Sequence, residues 1–129
     1  QKEVAERLTA GVSDPHYGRL SVMVQYYCQT ELLFTITPNA FYPPPEVMSS
    51  MVRLVPYSIL PYPAKDEKLF ATLVKQAFSQ RRKTLRNSLK NIVSDAIWTN
   101  LQIDAHHLRA ENLSVKDFVA VSNALTLTN

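Results

Sequence analysis

Glycine is nearly absent from this 129-residue chain, which holds two, Gly11 and Gly18. A glycine-rich loop that cradles a nucleotide needs several at fixed spacing, so no G-x-G-x-x-G turn and no P-loop can be built within these residues. Cysteine occurs once, at Cys28, which excludes an internal disulfide and makes a reducing, cytoplasmic setting the simple expectation. No apolar run approaches the roughly 18 residues of a membrane span, so neither a span nor a signal peptide is expected. A G-x-S-x-G nucleophile turn is missing. His106 and His107 have no Cys or His at ligand spacing, so no metal is expected. Acidic residues are missing from one place in particular: positions 81–90 hold five cations and no Asp or Glu.

What remains describes a folded protein. The hydrophobic fraction is 46% and the formal net charge +3, a modest excess that matters because it is clustered. The chain opens on a helical run, Gln1–Ala10, with no Met and no capping residue before it, which reads as a start in mid-element. Leu20, Met23, Val24, Tyr27 and Cys28 follow helical spacing and predict an amphipathic helix over 18–29, with Cys28 in the core. Leu32, Phe34 and Ile36 alternate with Leu33, Thr35 and Thr37, predicting a strand over 31–37; a second is expected over 47–55. Four prolines in 38–46 make the connection stiff and extended. The pair is expected to be antiparallel, and marginal without further strands beside it.

Beyond the proline-rich stretch 56–63 the chain reads as all helix. Phe70, Leu73, Val74, Ala77 and Phe78 form one stripe. Leu85, Leu89 and Ile92 continue it if the helix runs on, whereas Thr84 could cap a second helix. A short helix is expected after Ser94, with Ile97, Trp98 and Leu101. Another is expected after Ser114, whose Ser114-Val115-Lys116-Asp117 has capping-box form and leads into Phe118, Val119, Ser122 and Leu125.

Two constellations carry chemistry. If the helix is continuous, Arg82, Arg86 and Lys90 form an i, i+4, i+8 row with Lys83 nearby, about a quarter turn from the apolar stripe. A solvated face is the common fate of a charge run, but such faces mix signs and this one is expected to have no acid to pair with. Arginine forks match phosphate oxygens, so RNA contact is the preferred reading. The second is Phe41-Tyr42-Pro43-Pro44-Pro45. Its ring either plugs a core or offers a face to an unstacked base. Lys2, Glu3 and Glu6 are read as surface helix charges rather than acid–base groups.

In order, Gln1-Lys2-Glu3-Val4-Ala5-Glu6-Arg7-Leu8, Tyr17-Gly18-Arg19-Leu20-Ser21-Val22 with Gln25, Phe41-x-Pro43-Pro44-Pro45-x-Val47-x-Ser49, Val52-Arg53-Leu54, Phe78-x-x-Arg81-Arg82-Lys83-Thr84-Leu85-Arg86-Asn87-Ser88-Leu89 and Arg109-Ala110-Glu111-Asn112-Leu113-Ser114 resemble the later part of the bacterial small-subunit ribosomal RNA adenine dimethyltransferases. The resemblance implies an α/β fold: the C-terminal part of a Rossmann-like methyltransferase sheet, with helices and an antiparallel strand pair, followed by a small all-helical domain. It places the methyltransferase portion at 1–56, a linker at 57–65 and an RNA-binding domain at 66–129. It implies S-adenosylmethionine as cofactor, bound by a half not represented here, and no metal. The implied reaction is N6,N6-dimethylation of two adjacent adenosines in a hairpin loop near the 3′ end of small-subunit RNA, with this fragment alone inactive. Phe41 would stack on the target adenine, and Arg81, Arg82, Lys83, Arg86 and Lys90 would hold RNA. The implied partner is small-subunit RNA in the immature 30S subunit, met by a cytoplasmic monomer. Glu46 and Met48 depart from the Lys and Asp of many relatives. The alternatives are the related large-subunit methyltransferases of macrolide resistance, and a non-catalytic nucleic-acid-binding module of the same fold.

Overall fold

The computed structural model describes residues 1–40, 42–43 and 48–127. They divide into two compact units, 1–60 and 61–129.

The first unit is α/β. Helix α1 spans Lys2–Thr9 and α2 spans Arg19–Tyr27; strands β1, Cys28–Ile36, and β2, Ser49–Pro56, pair antiparallel. The strand pair is as the alternation predicts, but two details differ. Cys28 opens β1, half-buried, rather than ending a helix in the core. A bulge between Leu32 and Phe34 leaves Leu33 without a partner, so the alternation of side chains along β1 is interrupted. Glu31 and Arg53 face each other across the ladder with an ion pair of 3.5 Å.

The face that α2 buries is not its apolar stripe. Ser21, Val22 and Tyr26 are buried, whereas Leu20 and Tyr27 are exposed. The cause lies in α1. A helix ends with four carbonyls that have no partner within it. The Ser21 hydroxyl donates to the Arg7 carbonyl, and the Gln25 amide donates to the carbonyls of Leu8 at 3.0 Å and Ala10 at 2.9 Å. The polar side of α2 therefore turns inward because it satisfies the end of α1. The Gly18 amide in turn donates to Ser21 Oγ at 3.1 Å, and Tyr17 is buried beside it.

The second unit is all helix: α3 (Glu67–Ser79), α4 (Leu85–Ser88), α5 (Asp95–Asn100) and α6 (Val115–Leu127). Asp66 caps α3 by accepting from the Leu69 amide, and Ser114 caps α6 by accepting from the Asp117 amide at 3.1 Å. Phe70, Leu73, Val74 and Ala77 on α3 are buried together with Leu85, Leu89, Val93, Ile97, Trp98, Phe118, Val119, Val121 and Leu125. Phe78 meets Phe118 with ring centroids 5.8 Å apart. The question of one helix or two over 66–93 is settled: α3 stops at Ser79, a turn follows, and α4 is a single helical turn.

Leu89 is 1% exposed. Leu89→Ala is expected to lower stability by about 2–5 kcal/mol in urea unfolding, the range for truncating a buried leucine. The buried Ser122 hydroxyl has no partner among the described residues. Ser122→Ala is expected to leave stability unchanged or raise it by up to about 1 kcal/mol.

Candidate nucleic-acid interface

The basic segment is a turn, not a helix face. At Gln80, φ −133° and ψ 72° end α3, and the Lys83 amide donates to the Gln80 carbonyl at 3.0 Å. Thr84 stands at the start of α4 but makes no side-chain cap bond. The amides of that helical turn are satisfied from a distance: Leu85 N–H donates to the Leu108 carbonyl at 2.8 Å and Arg86 N–H to that of Ala105 at 2.9 Å. Buried Leu85 and Leu89 hold it from below, and the Gln76 amide donates to the Ser88 carbonyl at 3.4 Å. The i, i+4, i+8 row is thus corrected. Arg82 precedes α4 and Lys90 follows it, so no shared helix relates them.

Arg81, Arg82, Lys83 and Lys90 are exposed, and Arg86 is half-buried. Arg81 has a further interaction within the protein. Arg82, Lys83 and Lys90 have no ion-pair partner among the described residues. Arg86 differs. Its Nε donates to Asp95 Oδ1 at 3.0 Å and its Nη2 to Oδ2 at 3.3 Å, the bidentate fork that carboxylates and guanidinium groups share. The acid missing from 81–90 is therefore supplied by the first residue of α5. Arg86 and Lys90 come together with Val93, Ser94 and Asp95 around a shallow depression of about 170 Å³. The Arg86 hydrogen bond is the main cause that lowers the Asp95 pKa from its ordinary 3.8; desolvation opposes it, and the charges of Arg86 and His106 assist.

Phe41 and Glu46 lie outside the described residues; beside them, Tyr42 is fully exposed. Met48 is exposed, and its carbonyl accepts from the Lys2 amide at 2.9 Å. Lys2 and Glu3 form surface pairs with Glu6 and Arg7 one helical turn on, at 3.7 and 3.2 Å. Sequence reasoning passed over His16, whose Nε2 lies 2.8 Å from Glu6 and whose Nδ1 lies 3.2 Å from Asp14. It also passed over Asp95 and over Asp104, which meets His107 at 2.9 Å. An Asp or Glu a few residues from a histidine is the only signal the sequence offers, and it is a common one. Among the described residues no three His, Cys, Asp or Glu side chains are grouped to hold a metal, and no helix is long and apolar enough to cross a membrane.

Residues 1–127 match the family described as ribosomal RNA adenine dimethylase. The chain is 54% identical over 125 residues to ribosomal RNA small subunit methyltransferase A of Methylobacillus flagellatus, covering 97% of this chain and 49% of that protein. It is 51% identical over 126 residues to the Citrobacter koseri protein of the same name, covering 98% and 46%. The chain thus spans about half the length of the curated relatives it matches. Among solved structures, a dimethyladenosine transferase from Plasmodium falciparum is similar with a TM-score of 0.72 at 26% identity, over 94% of this chain and 53% of that one. The 23S rRNA methyltransferase ErmE shares the fold, with a TM-score of 0.69 at 17% identity, over 98% and 52%. The architecture seen here is accordingly part of a Rossmann-like methyltransferase fold with its helical appendage.

A group whose folded pKa is depressed lends stability above its ordinary pKa and loses it as pH falls through the lowered value. The Asp95–Arg86 pair is therefore expected to hold at pH 7 and to weaken only below about pH 4. A carboxyl NMR titration should place the Asp95 midpoint below 3.8, and Arg86→Ala should move it back up. An unmoved midpoint would show that Arg86 is not the cause.

Proposed function

We propose, for a chain that belongs to the ribosomal RNA adenine dimethylase family, that it is the RNA-holding portion of an enzyme that dimethylates adenosine N6 in ribosomal RNA. The preferred substrate is the pair of adjacent adenosines in a hairpin loop near the 3′ end of small-subunit RNA, modified during assembly of the 30S subunit in the cytoplasm, with the enzyme a monomer. The names of the bacterial relatives favour the small subunit over the large. Residues 1–56 would belong to the methyltransferase domain, 57–65 to a linker and 66–129 to the RNA-binding domain. Exposed Leu32, Phe34, Met51 and Leu54 on the strand pair fit a sheet that further strands extend and cover.

The single observation that carries this reading is the anchored turn at 80–84, where Arg82 and Lys83 have no ion-pair partner among the described residues. It is fixed below by leucines and at its end by two long-range amide bonds, while Arg82 and Lys83 reach into solvent. A polyanion would meet a backbone already held in place there and release condensed counterions on binding. Arg81, Arg82, Lys83, Arg86 and Lys90 would hold the RNA backbone. Phe41 would stack on the extruded adenine and fix its N6 for attack, so the contribution of this chain is orientation.

S-adenosylmethionine supplies the activated methyl group in the complete enzyme. The residues here do not fit it. With two glycines in the chain, neither at positive φ, no glycine-rich cradle can form. Calorimetry of this chain with S-adenosylmethionine is expected to show no binding, and stoichiometric binding would refute that assignment.

The paired state of Arg86 makes Arg82 and Lys83 the better test of RNA contact. Arg82→Ala with Lys83→Ala is expected to weaken binding to a ribosomal hairpin-loop RNA. It should also reduce the slope of log affinity against log salt by about 1.5–2, as for two lost phosphate contacts. A slope equal to that of the unaltered chain would sink the proposal.

A further inference from the structure

The loop that satisfies α4 also carries two histidines, and nothing in the phosphate reading uses them. Asp104 to Leu108 is a tight turn, with the His107 and Leu108 amides donating to the Asp104 carbonyl at 3.2 and 2.9 Å. Ala105 is buried, and the carbonyls of Ala105 and Leu108 accept from Arg86 and Leu85. His106 and His107 lie between those two anchor points. They are therefore held beside the first residues of α4, Leu85 and Arg86, directly after the basic turn.

His107 is the more distinctive of the two. Its side chain is 83% exposed. Its Nδ1 lies 2.9 Å from one Asp104 carboxylate oxygen and 3.1 Å from the other, a contact that favours one rotamer. An exposed ring ordinarily samples several rotamers; one hydrogen-bonded through Nδ1 to a residue of the same turn has that freedom reduced before a base arrives. A flat ring of favoured orientation beside phosphate-binding cations is what unpaired nucleotides recognise, by stacking a base on the ring while the backbone meets the cations.

We propose that His107, oriented by Asp104, is a stacking platform for an unpaired RNA base next to the basic turn. This rests on the RNA reading above and adds to it a preference for single strands over duplex. Paired bases have no free face to offer, whereas phosphates are present in both.

The test measures affinities of the 129-residue chain for a single-stranded oligonucleotide and for a duplex RNA of equal length. The variants are His107→Ala, His107→Phe, and Arg82→Ala with Lys83→Ala, with thermal unfolding to confirm that each is folded. His107→Ala is expected to weaken single-strand binding by roughly 5- to 150-fold, the span of one lost base–aromatic stack, and to leave duplex binding unchanged. His107→Phe should restore single-strand affinity, because a phenyl ring keeps the face and drops the nitrogens. Equal loss on both RNAs, or equal loss from Ala and Phe, would overturn the platform. Unchanged single-strand affinity in His107→Ala, with the Arg82/Lys83 variant still weakened, would remove the platform and leave the RNA reading in place. If the unaltered chain binds neither RNA, both fall together.

Discussion

Two backbone hydrogen bonds, from Leu85 to Leu108 and from Arg86 to Ala105, fix the helical unit at the point where its charge is greatest. A four-residue helix has too few internal bonds to persist alone, since nucleation costs more than one turn returns. Here its leading amides find carbonyls on a loop about 20 residues further on, and Leu85 and Leu89 sink into the core beneath. The same bonds do two jobs for the surface. They stop the cationic turn from fraying, and they bring the Asp104–Leu108 loop alongside it. Removing them would leave buried donors without partners and separate the two halves of the proposed interface.

In the first unit the ordering principle is similar but the players are side chains. Ser21 and Gln25 of α2 reach the terminal carbonyls of α1, and this sets the rotation of α2 about its own axis. A hydroxyl or an amide used in this way must face inward, even at the expense of exposing Leu20 and Tyr27. Burying an unsatisfied carbonyl costs about as much as one exposed leucine forfeits, so the polar contacts can decide the orientation.

This explains what the sequence could and could not disclose. The α3 stripe was legible because every one of its apolar residues faces the same core, and helical periodicity is the only information required. So were the caps at Asp66 and Ser114 and the antiparallel pairing of β1 with β2, though only Ser114 was read as a cap. The α2 face was misread because its orientation depends on partners 14–17 positions away. The bulge at Leu33 was invisible for the same reason: it is a property of two strands together. The continuous cationic row failed because positions 81–83 carry no glycine or proline to announce a break. The break is fixed instead by what α4 finds beyond it. In the interface, the cations were read from their clustering, whereas Asp95 and Asp104 could be joined to it only through the fold.

The presence of Asp95 alters how the cluster works rather than merely reducing its charge. Five unpaired cations in ten residues would repel one another and spread over many rotamers, and each would lose that freedom on binding. Asp95 takes two of the five N–H donors of the Arg86 guanidinium and leaves three that it does not engage. Arg86 can therefore meet a phosphate without abandoning its carboxylate, with its side chain ordered in advance. Arg82 and Lys83, with no ion pair among the described residues, are suited to long-range attraction and to counterion release, which need charge but little geometry. On the proposed reading, a surface that combines one preset fork with exposed cations and an oriented ring would favour an RNA loop over a polyanion that has no free bases. Charge would draw the strand in, the fork would set its register, and the ring would require that a base be free to stack.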